Sequence, residues 1–402
     1  MSTGSPSARA GARPAAIAPG PRTGPPAASP QSPLSIAVRG LLSLAILAGF
    51  FAAYTQVIDL VTSILHSFSD AEPAVLGRSA RVIVVTVLGL LLVAVWWRIV
   101  KADVRFHAPI LITFILAIGN ATYGILENFH RDWLAQVTGG LITEYSPTFV
   151  AIIVTVFAEL VLSRFLGGQW PHLASAYITG ISVGILIKSP DVLPFILCGL
   201  LSIVSKYAIR IGGRHIWNPS NLGVTLMVFF WSYRVAALSV QFSNEIWPNL
   251  IIWFFGALIL FRLGKLHITV TYAVAFLLLG FVRSAVTHDP WKVEVAPITG
   301  PPYQLFMFFM ITDPKTVTKA KWSQCVVAVT VAIVETIFRL PPFEQVYAPY
   351  YALFIVGPTA NLIEIWWYSR HPAAKAKGAP VAPASTASAP ALPVEPAPTG
   401  GA

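Results

Sequence analysis

The sequence predicts an all-α polytopic membrane protein with about 12 transmembrane helices, on three observations. Hydrophobic residues make up 55% of the 402 residues and charged residues only 11%, whereas about a quarter of a soluble domain is charged. Apolar runs near the ~20 residues that cross a bilayer follow one another along the chain. Lys and Arg are unevenly distributed between these runs. The composition excludes a soluble enzyme, a disordered protein and a nucleic-acid-binding protein.

The two ends of the chain have a different composition. Residues 1–33 and 371–402 consist largely of Pro, Ala, Ser and Gly, without an apolar run. Such segments bury too little apolar surface to offset the entropy of ordering, so both are predicted to be disordered tails. The first apolar run starts near Ile36, which is too far along the chain and too long for a cleavable signal peptide.

The apolar runs define the predicted spans and three groups of them. Residues 34–106 hold an extra N-terminal helix pair, residues 107–236 a first five-helix half and residues 237–370 a second five-helix half. The run at 302–312 is short and predicts a half-helix or a tilted helix. The twelve spans are 36–56, 80–99, 107–126, 146–166, 172–188, 191–209, 219–236, 248–262, 267–284, 302–312, 322–340 and 347–367.

The distribution of basic residues predicts the orientation. With a cytoplasmic N-terminus, 19 of the 27 Lys and Arg residues fall on the cytoplasmic side and 8 on the other side. This bias follows the positive-inside rule and predicts a multi-pass protein of the cell inner or plasma membrane, with both termini cytoplasmic. The net charge of +10 is therefore attributed to residues that flank spans in a lipid bilayer, and no nucleic-acid partner is expected.

Two segments of similar pattern predict an inverted repeat. Ser175–Pro190 and Thr299–Pro314 each begin with small or hydroxyl residues, continue as an apolar run and end on a polar residue before Pro. A Pro-started helix follows each segment, at Pro219 and at Pro349. The orientation places the two copies in opposite directions, as in transporter folds that carry their site where helices break. Chance similarity between apolar runs is the alternative.

The segment from Gly212 to Asn221 contains the first candidate site. Asn218 before Pro219 is a helix-start signature, with Asn as the cap and Pro in the first turn. The free N–H groups of such a helix, next to Arg214 and His215, would suit an anionic group. The alternative is a capped cytoplasmic turn with snorkelling basic residues.

The second candidate site is Thr312-Asp313-Pro314-Lys315, where Asp313 would cap a helix or turn opened by Pro314. Its carboxylate would bind a cation, relay a proton, pair with Lys315, or act only as a cap.

Two further carboxylates lie inside predicted spans: Glu159 near Arg164, and Glu335 one turn before Arg339. Both are interpreted mainly as members of structural ion pairs. Neither cysteine belongs to a metal-binding pattern. The predicted ligand- or ion-binding residues are Arg214, His215, Asn218, Asn221, Thr312, Asp313 and Lys315.

Taken in order, these motifs resemble the RnfD/NqrB family, whose members are membrane components of the Rnf electron-transport complex and of the sodium-translocating NADH:quinone reductase. The similar pieces are Ser175 to Gly180, Ser205-Lys206, Gly213 to Pro219, Thr299-Gly300, Phe308 to Pro314 and Tyr351 to Glu364. The resemblance implies ten helices in two inverted halves over residues 107–367. It also implies flavin-dependent electron transfer coupled to sodium or proton movement, together with other membrane subunits.

Members of the family carry covalent FMN on a Thr, which lies in an Asp-Gly-x-Ser/Thr-x-Ala-Thr motif after the Asn-Pro helix. The present chain differs from the family in this segment. Residues 237–247 contain neither the motif nor a Thr, so any flavin is expected to be noncovalent. The chain is equally similar to flavin-free membrane relatives labelled as enediyne-biosynthesis proteins. The rival hypotheses are a flavin-free small-solute transporter or channel, and a structural scaffold docked through residues 34–106.

Overall fold

The computed structural model describes residues 144–371 except 169, 212–213 and 238–245, together with residues 57–68 and scattered residues between 72 and 136. The predicted tail 1–33, the predicted C-terminal tail after His371 and the span at 36–56 lie outside the described residues. Most of the spans at 80–99 and 107–126 and most of the 237–247 loop lie outside them as well.

The described chain is mainly helical, and two short hairpins accompany the helices. Strands β1 (Phe129–His130) and β2 (Glu144–Tyr145) pair antiparallel, as do β3 (Arg210–Ile211) and β4 (Arg214–His215). A 3₁₀ turn at Ala296–Thr299 and a π turn at Phe306–Met310 lie on either side of the short helix Pro301–Leu305. The helices are α1 Val57–Phe68, α2 Pro147–Gly167, α3 Ala174–Leu186, α4 Leu193–Ala208, α5 Pro219–Phe230, α6 Ile246–Leu263, α7 Leu266–Thr287, α8 Trp291–Val295, α9 Pro301–Leu305, α10 Lys321–Arg339 and α11 Ala348–Arg370.

Helices coincide with the predicted spans from 146–166 onward, which confirms the helical class. Three described helices are long and apolar enough to cross a membrane, at Pro147–Leu166, Leu266–Thr287 and Lys321–Arg339. The short predicted span at 302–312 is the five-residue α9 continued by the five-residue π turn, so it is a half-helix. A π turn inside a helix widens the backbone and is often found at functional sites.

Close helix packing organises the described part of the first half. Helix α2 packs against α3 and α4, and α4 packs against α5. Glycines permit these approaches: a Cβ on Gly180 would lie 2.5 Å from Ile152 Cα, and one on Gly223 would lie 2.7 Å from Cys198 O. Small residues at helix contacts are typical of packing in membranes, where backbones must approach closely to gain dispersion energy.

Residues 246–370 add to the same buried core. Helix α7 packs against α10, and α10 packs against α11, while α9 and the π turn lie between α6 and α7. The aromatic side chains of Tyr272, Phe276 and Phe306 are fully buried there, with ring centroids 5.5–6.2 Å apart for the Tyr272 pairs. Helices α5 and α11 touch across the two halves.

Each half contains a buried carboxylate that has polar partners. Glu159 on α2 pairs with Lys206 on α4 at 3.0 Å and accepts a hydrogen bond from Tyr207. The interpretation of Glu159 as part of a structural ion pair is confirmed, but its partner is Lys206 and the predicted partner Arg164 is exposed. Glu335 on α10 accepts hydrogen bonds from the Tyr272 and Tyr303 hydroxyls and lies 3.8 Å from Arg339, which confirms that predicted pair. Such partners offset the cost of removing a carboxylate from water.

We expect Gly223→Ala to lower the free energy of unfolding by about 1–3 kcal/mol, because the new methyl meets a backbone carbonyl and the Ser202 hydroxyl. Gly199→Ala on α4 is the matched control, since its methyl meets no atom closer than a Thr155 methyl at 3.2 Å. Thermal unfolding of both variants in detergent measures the difference. Equal midpoints for the two variants would contradict the packing of α4 against α5.

Candidate functional site

The two predicted broken-helix motifs meet in the structure. The Asn218 Nδ2 group donates a hydrogen bond to Met310 O at 3.2 Å and lies 3.4 Å from Asp313 Oδ2. Asn218 and Asp313 are 95 residues apart in the sequence. The start of α5 and the end of the π turn therefore form one polar junction between the two halves of the chain.

The Asn218 motif folds as its residues predict. Asn218 is extended, with φ −63° and ψ 122°, and its Oδ1 accepts a hydrogen bond from Asn221 N at 2.9 Å. Pro219 then occupies the first helical position, where its missing N–H has no intrahelical partner to lose. The predicted N-cap is confirmed.

The Asp313 motif forms a turn, and no helix starts at Pro314. Asp313 Oδ1 accepts from Lys315 N at 3.2 Å, and Oδ2 accepts from Thr316 Oγ1 at 3.0 Å. This is the turn alternative of the prediction. Within the part of the chain that the structure describes, the Lys315 ammonium forms no ion pair, so the predicted pairing with Asp313 involves only the Lys315 backbone.

A cavity of about 580 Å³ opens beside this junction, and we call it the Asn218 cavity. Five of the seven predicted residues line it: His215, Asn218, Thr312, Asp313 and Lys315. Its other polar lining includes Lys206, Arg262, His172, Ser175 and Ser182, and its apolar wall includes Ile178, Leu260, Phe308 and Phe309. The volume is in the range typical of small-molecule sites.

Positive charge predominates around the Asn218 cavity. The Lys206 ammonium is neutralised by Glu159 and also donates to Ser175 Oγ at 3.2 Å. Lys315 and Arg262, in contrast, have no carboxylate partner among the described residues, and Asp313 is the one carboxylate in the lining. The cavity therefore favours an anionic group.

His215 is half-buried and shares the cavity wall. Burial lowers its pKa, and the positive charges of Lys315, Arg210 and Lys206 lower it further. The imidazole is therefore neutral near pH 7 and provides hydrogen bonds in place of the positive charge that the sequence suggested. Nδ1 lies 3.1 Å from Lys206 O, so it carries the proton in the neutral ring and Nε2 is left as an acceptor.

The two remaining predicted residues connect the halves and lie outside the cavity lining. Arg214 forms an ion pair with Glu364 of α11, and its Nη2 donates to Val317 O at 3.1 Å. Asn221 is buried, and its Nδ2 donates to Tyr350 O at 3.2 Å. Both side chains fasten the first half to α11, so their role in the structure is to support the site.

Sequence reasoning missed two cations of the cavity. Both Lys206 and Arg262 are among the 19 basic residues that the charge bias places on the cytoplasmic side, and Lys206 is also part of the Ser205-Lys206 piece of the family resemblance. A basic residue at the end of a span is usually an interfacial anchor, so no local signal separates these two from the others. Their positions at the cavity depend on how α4 and α6 pack.

Comparison with known proteins gives no further assignment: no family model and no curated protein matches this chain.

We expect Arg214→Ala to lower the free energy of unfolding by about 2–3 kcal/mol, because Glu364, which is mostly buried, would lose its cation. Arg234→Ala is the control, since Arg234 pairs with Asp191 at an exposed position and its loss should cost less than ~1 kcal/mol. Thermal unfolding in detergent compares them. A larger effect at Arg234 would contradict the bridging role of Arg214.

We also expect His215 to make stability depend on pH. Its pKa is lower in the folded chain than the ordinary value of 6.5, so the unfolded chain binds more protons as pH falls. The contribution of His215 to the free energy of unfolding is therefore fully present above pH ~6.5 and declines as the pH falls below that value. The midpoint of unfolding from pH 8 to 5 should therefore fall more for the wild type than for His215→Gln, and parallel curves would refute the assignment.

Proposed function

We propose that the chain is an integral membrane subunit of a redox-linked, ion-translocating electron-transport assembly, with an RnfD/NqrB-like plan. The observation that carries the proposal is the junction of Asn218 and Asp313 on one cationic cavity. Two helix breaks meeting at one site is the arrangement that inverted-repeat transporters use for their ligands. On this proposal about twelve spans cross the inner or plasma membrane, with both termini cytoplasmic.

The packing supports two halves built on one plan. In the first half α2 packs on α4 and α4 on α5, and in the second α7 packs on α10 and α10 on α11. In each half, one helix of the first pair presents a carboxylate to a polar group of the other: Glu159 to Lys206, and Glu335 to Tyr272. Helices α5 and α11, which both have a Pro in the first turn, meet at Asn221 and Tyr350.

The lining of the Asn218 cavity fits a noncovalent flavin. Phe308 and Phe309 offer aromatic surface to a planar ring, the Asn218 amide offers hydrogen bonds, and Lys315 and Arg262 offer charge to an anionic tail. A flavin held there would supply one- or two-electron transfer. The acceptor Nε2 of His215 would hold a proton at the cavity wall. Other membrane subunits would deliver and remove the electrons.

The second candidate function is a flavin-free transporter or channel for a small anionic solute. The absence of Thr from residues 237–247 favours it, since the attachment residue of the flavin-bearing relatives is missing. The same excess of cations would serve a phosphate or a carboxylate equally well. A scaffold docked through residues 34–106 is the third candidate, and most of that segment lies outside the described residues.

Flavin content of the detergent-purified protein tests the proposal. The protein is denatured, and flavin fluorescence is measured in the supernatant and on the protein, with cofactor supplied during expression. Flavin in the supernatant is the expected result. Flavin retained on the protein would reveal a covalent attachment site, and none in either fraction would favour the transporter or the scaffold.

Asn218→Ala and Asp313→Ala should abolish flavin binding while membrane insertion stays intact, because each removes a polar group from the junction. Asp289→Ala, at an exposed aspartate after α7, is the matched control and should retain wild-type flavin content. Insertion is measured by membrane fractionation and flavin by absorbance per mole of protein. Normal flavin content in both junction variants would refute this site.

A further inference from the structure

Helices α7 and α10 pack side by side, and polar contacts join them near their starts. His267 Nε2 lies 2.8 Å from Gln324 Oε1, and Thr271 Oγ1, one turn further along α7, donates to Cys325 Sγ at 3.5 Å. We call the line of these two contacts the α7–α10 seam. It begins at the end of both helices that the sequence predicts to be cytoplasmic.

Exposed apolar side chains border the α7–α10 seam on both helices. Val274, which lies one turn beyond Thr271 on the same face of α7, is 50% exposed. Trp322 and Val326, which share a face of α10, are 72% and 53% exposed. Both helices are long and apolar enough to cross a membrane, so the seam faces the region that acyl chains would occupy.

Two lysines lie at the start of the seam. Lys265 immediately precedes α7, and Lys321 is the first residue of α10. In the part of the chain that the structure describes, neither ammonium forms an ion pair with a carboxylate. Burial lowers the pKa of the Lys265 ammonium, and the positive charge of Lys321 lowers that pKa further, as expected for two like charges that lie close together.

This pair of lysines is electrostatically unfavourable for the protein alone. Two like charges repel each other, and a positive charge at the start of a helix also opposes the helix dipole. Neither first turn contains an acidic residue that would offset these costs. A single basic residue at the end of a span is explained by anchoring at the interface, whereas an anion beside both lysines would relieve the repulsion as well.

The apolar border of the seam distinguishes between kinds of anion. A free phosphate would contact the lysines alone, whereas an anionic phospholipid also has acyl chains for Val274 and Val326. The indole of Trp322 suits the level of lipid headgroups, where tryptophan is enriched. Basic sites between spanning helices on the cytoplasmic side are of the kind that binds acidic lipid headgroups.

We propose that the start of the α7–α10 seam binds an anionic phospholipid, whose phosphate lies between Lys265 and Lys321 and whose acyl chains follow the seam. Neither lysine lines the Asn218 cavity, so the site is independent of the flavin site proposed above. A protein without flavin would leave the lipid site intact, and loss of the lipid site would leave the flavin proposal intact.

Thermal unfolding of the full-length protein in a nonionic detergent tests this site. We expect phosphatidylglycerol to raise the midpoint by about 3–6 °C more than phosphatidylcholine with the same acyl chains, because it binds the folded state. Lys265→Gln and Lys321→Gln should each reduce this difference, and the double variant should abolish it. Without lipid, the double variant should unfold at or above the wild-type temperature, because a repulsion is removed.

Lys292→Gln is the matched control, since Lys292 is an exposed lysine beyond the other end of α7, and it should keep the full effect of phosphatidylglycerol. Equal midpoints of the wild type in the two lipids, or an undiminished difference in the double variant, would overturn the proposal. A lipid-free midpoint of the double variant below that of the wild type would also overturn it, since the lysines would then stabilise the protein by themselves. Glycerol 3-phosphate that raises the midpoint as much as phosphatidylglycerol does would overturn the assignment to a lipid.

Discussion

The described structure depends on satisfying backbone groups where helices break inside an apolar fold. A helix that starts or ends away from water leaves N–H and C=O groups without partners, at a cost of several kcal/mol each in hydrocarbon. Asn218 meets this requirement for two breaks at once. Its side-chain oxygen caps α5 through Asn221 N, and its amide donates to Met310 O at the end of the π turn.

A second set of contacts holds this junction together from the far side. Asn361 of α11 donates to Ile216 O and to Thr316 O, which are carbonyls on either side of the junction. Arg214 is held in place by Glu364 on the same helix. Helix α11 therefore links the segment before α5 with the segment after Asp313.

The charged side chains fall into two groups: those paired within the protein, which stabilise the fold, and those without a partner in the described structure, which are available to a ligand. Glu159 and Glu335 are each saturated by partners within their own half, and fully buried Arg283 is bound by Glu294 and Thr336. Lys315 and Arg262 lack such partners in the described structure, and both lie at the Asn218 cavity. The proposed function rests on these charged groups that the protein leaves unused.

The sequence by itself determined the local features: the approximate positions of the long helices from residue 146 onward, the Asn218 cap, the Asp313 turn and the Glu335–Arg339 pair one turn apart. These depend on neighbours within a few residues, which propensity and capping rules describe. It misassigned Glu159, because residues five apart on a helix point about 140° away from each other. Only the tertiary structure decided that Glu159 pairs with Lys206 and that Arg214 forms an ion pair with Glu364, 150 residues away. Such pairings follow from how helices pack, which no local pattern encodes.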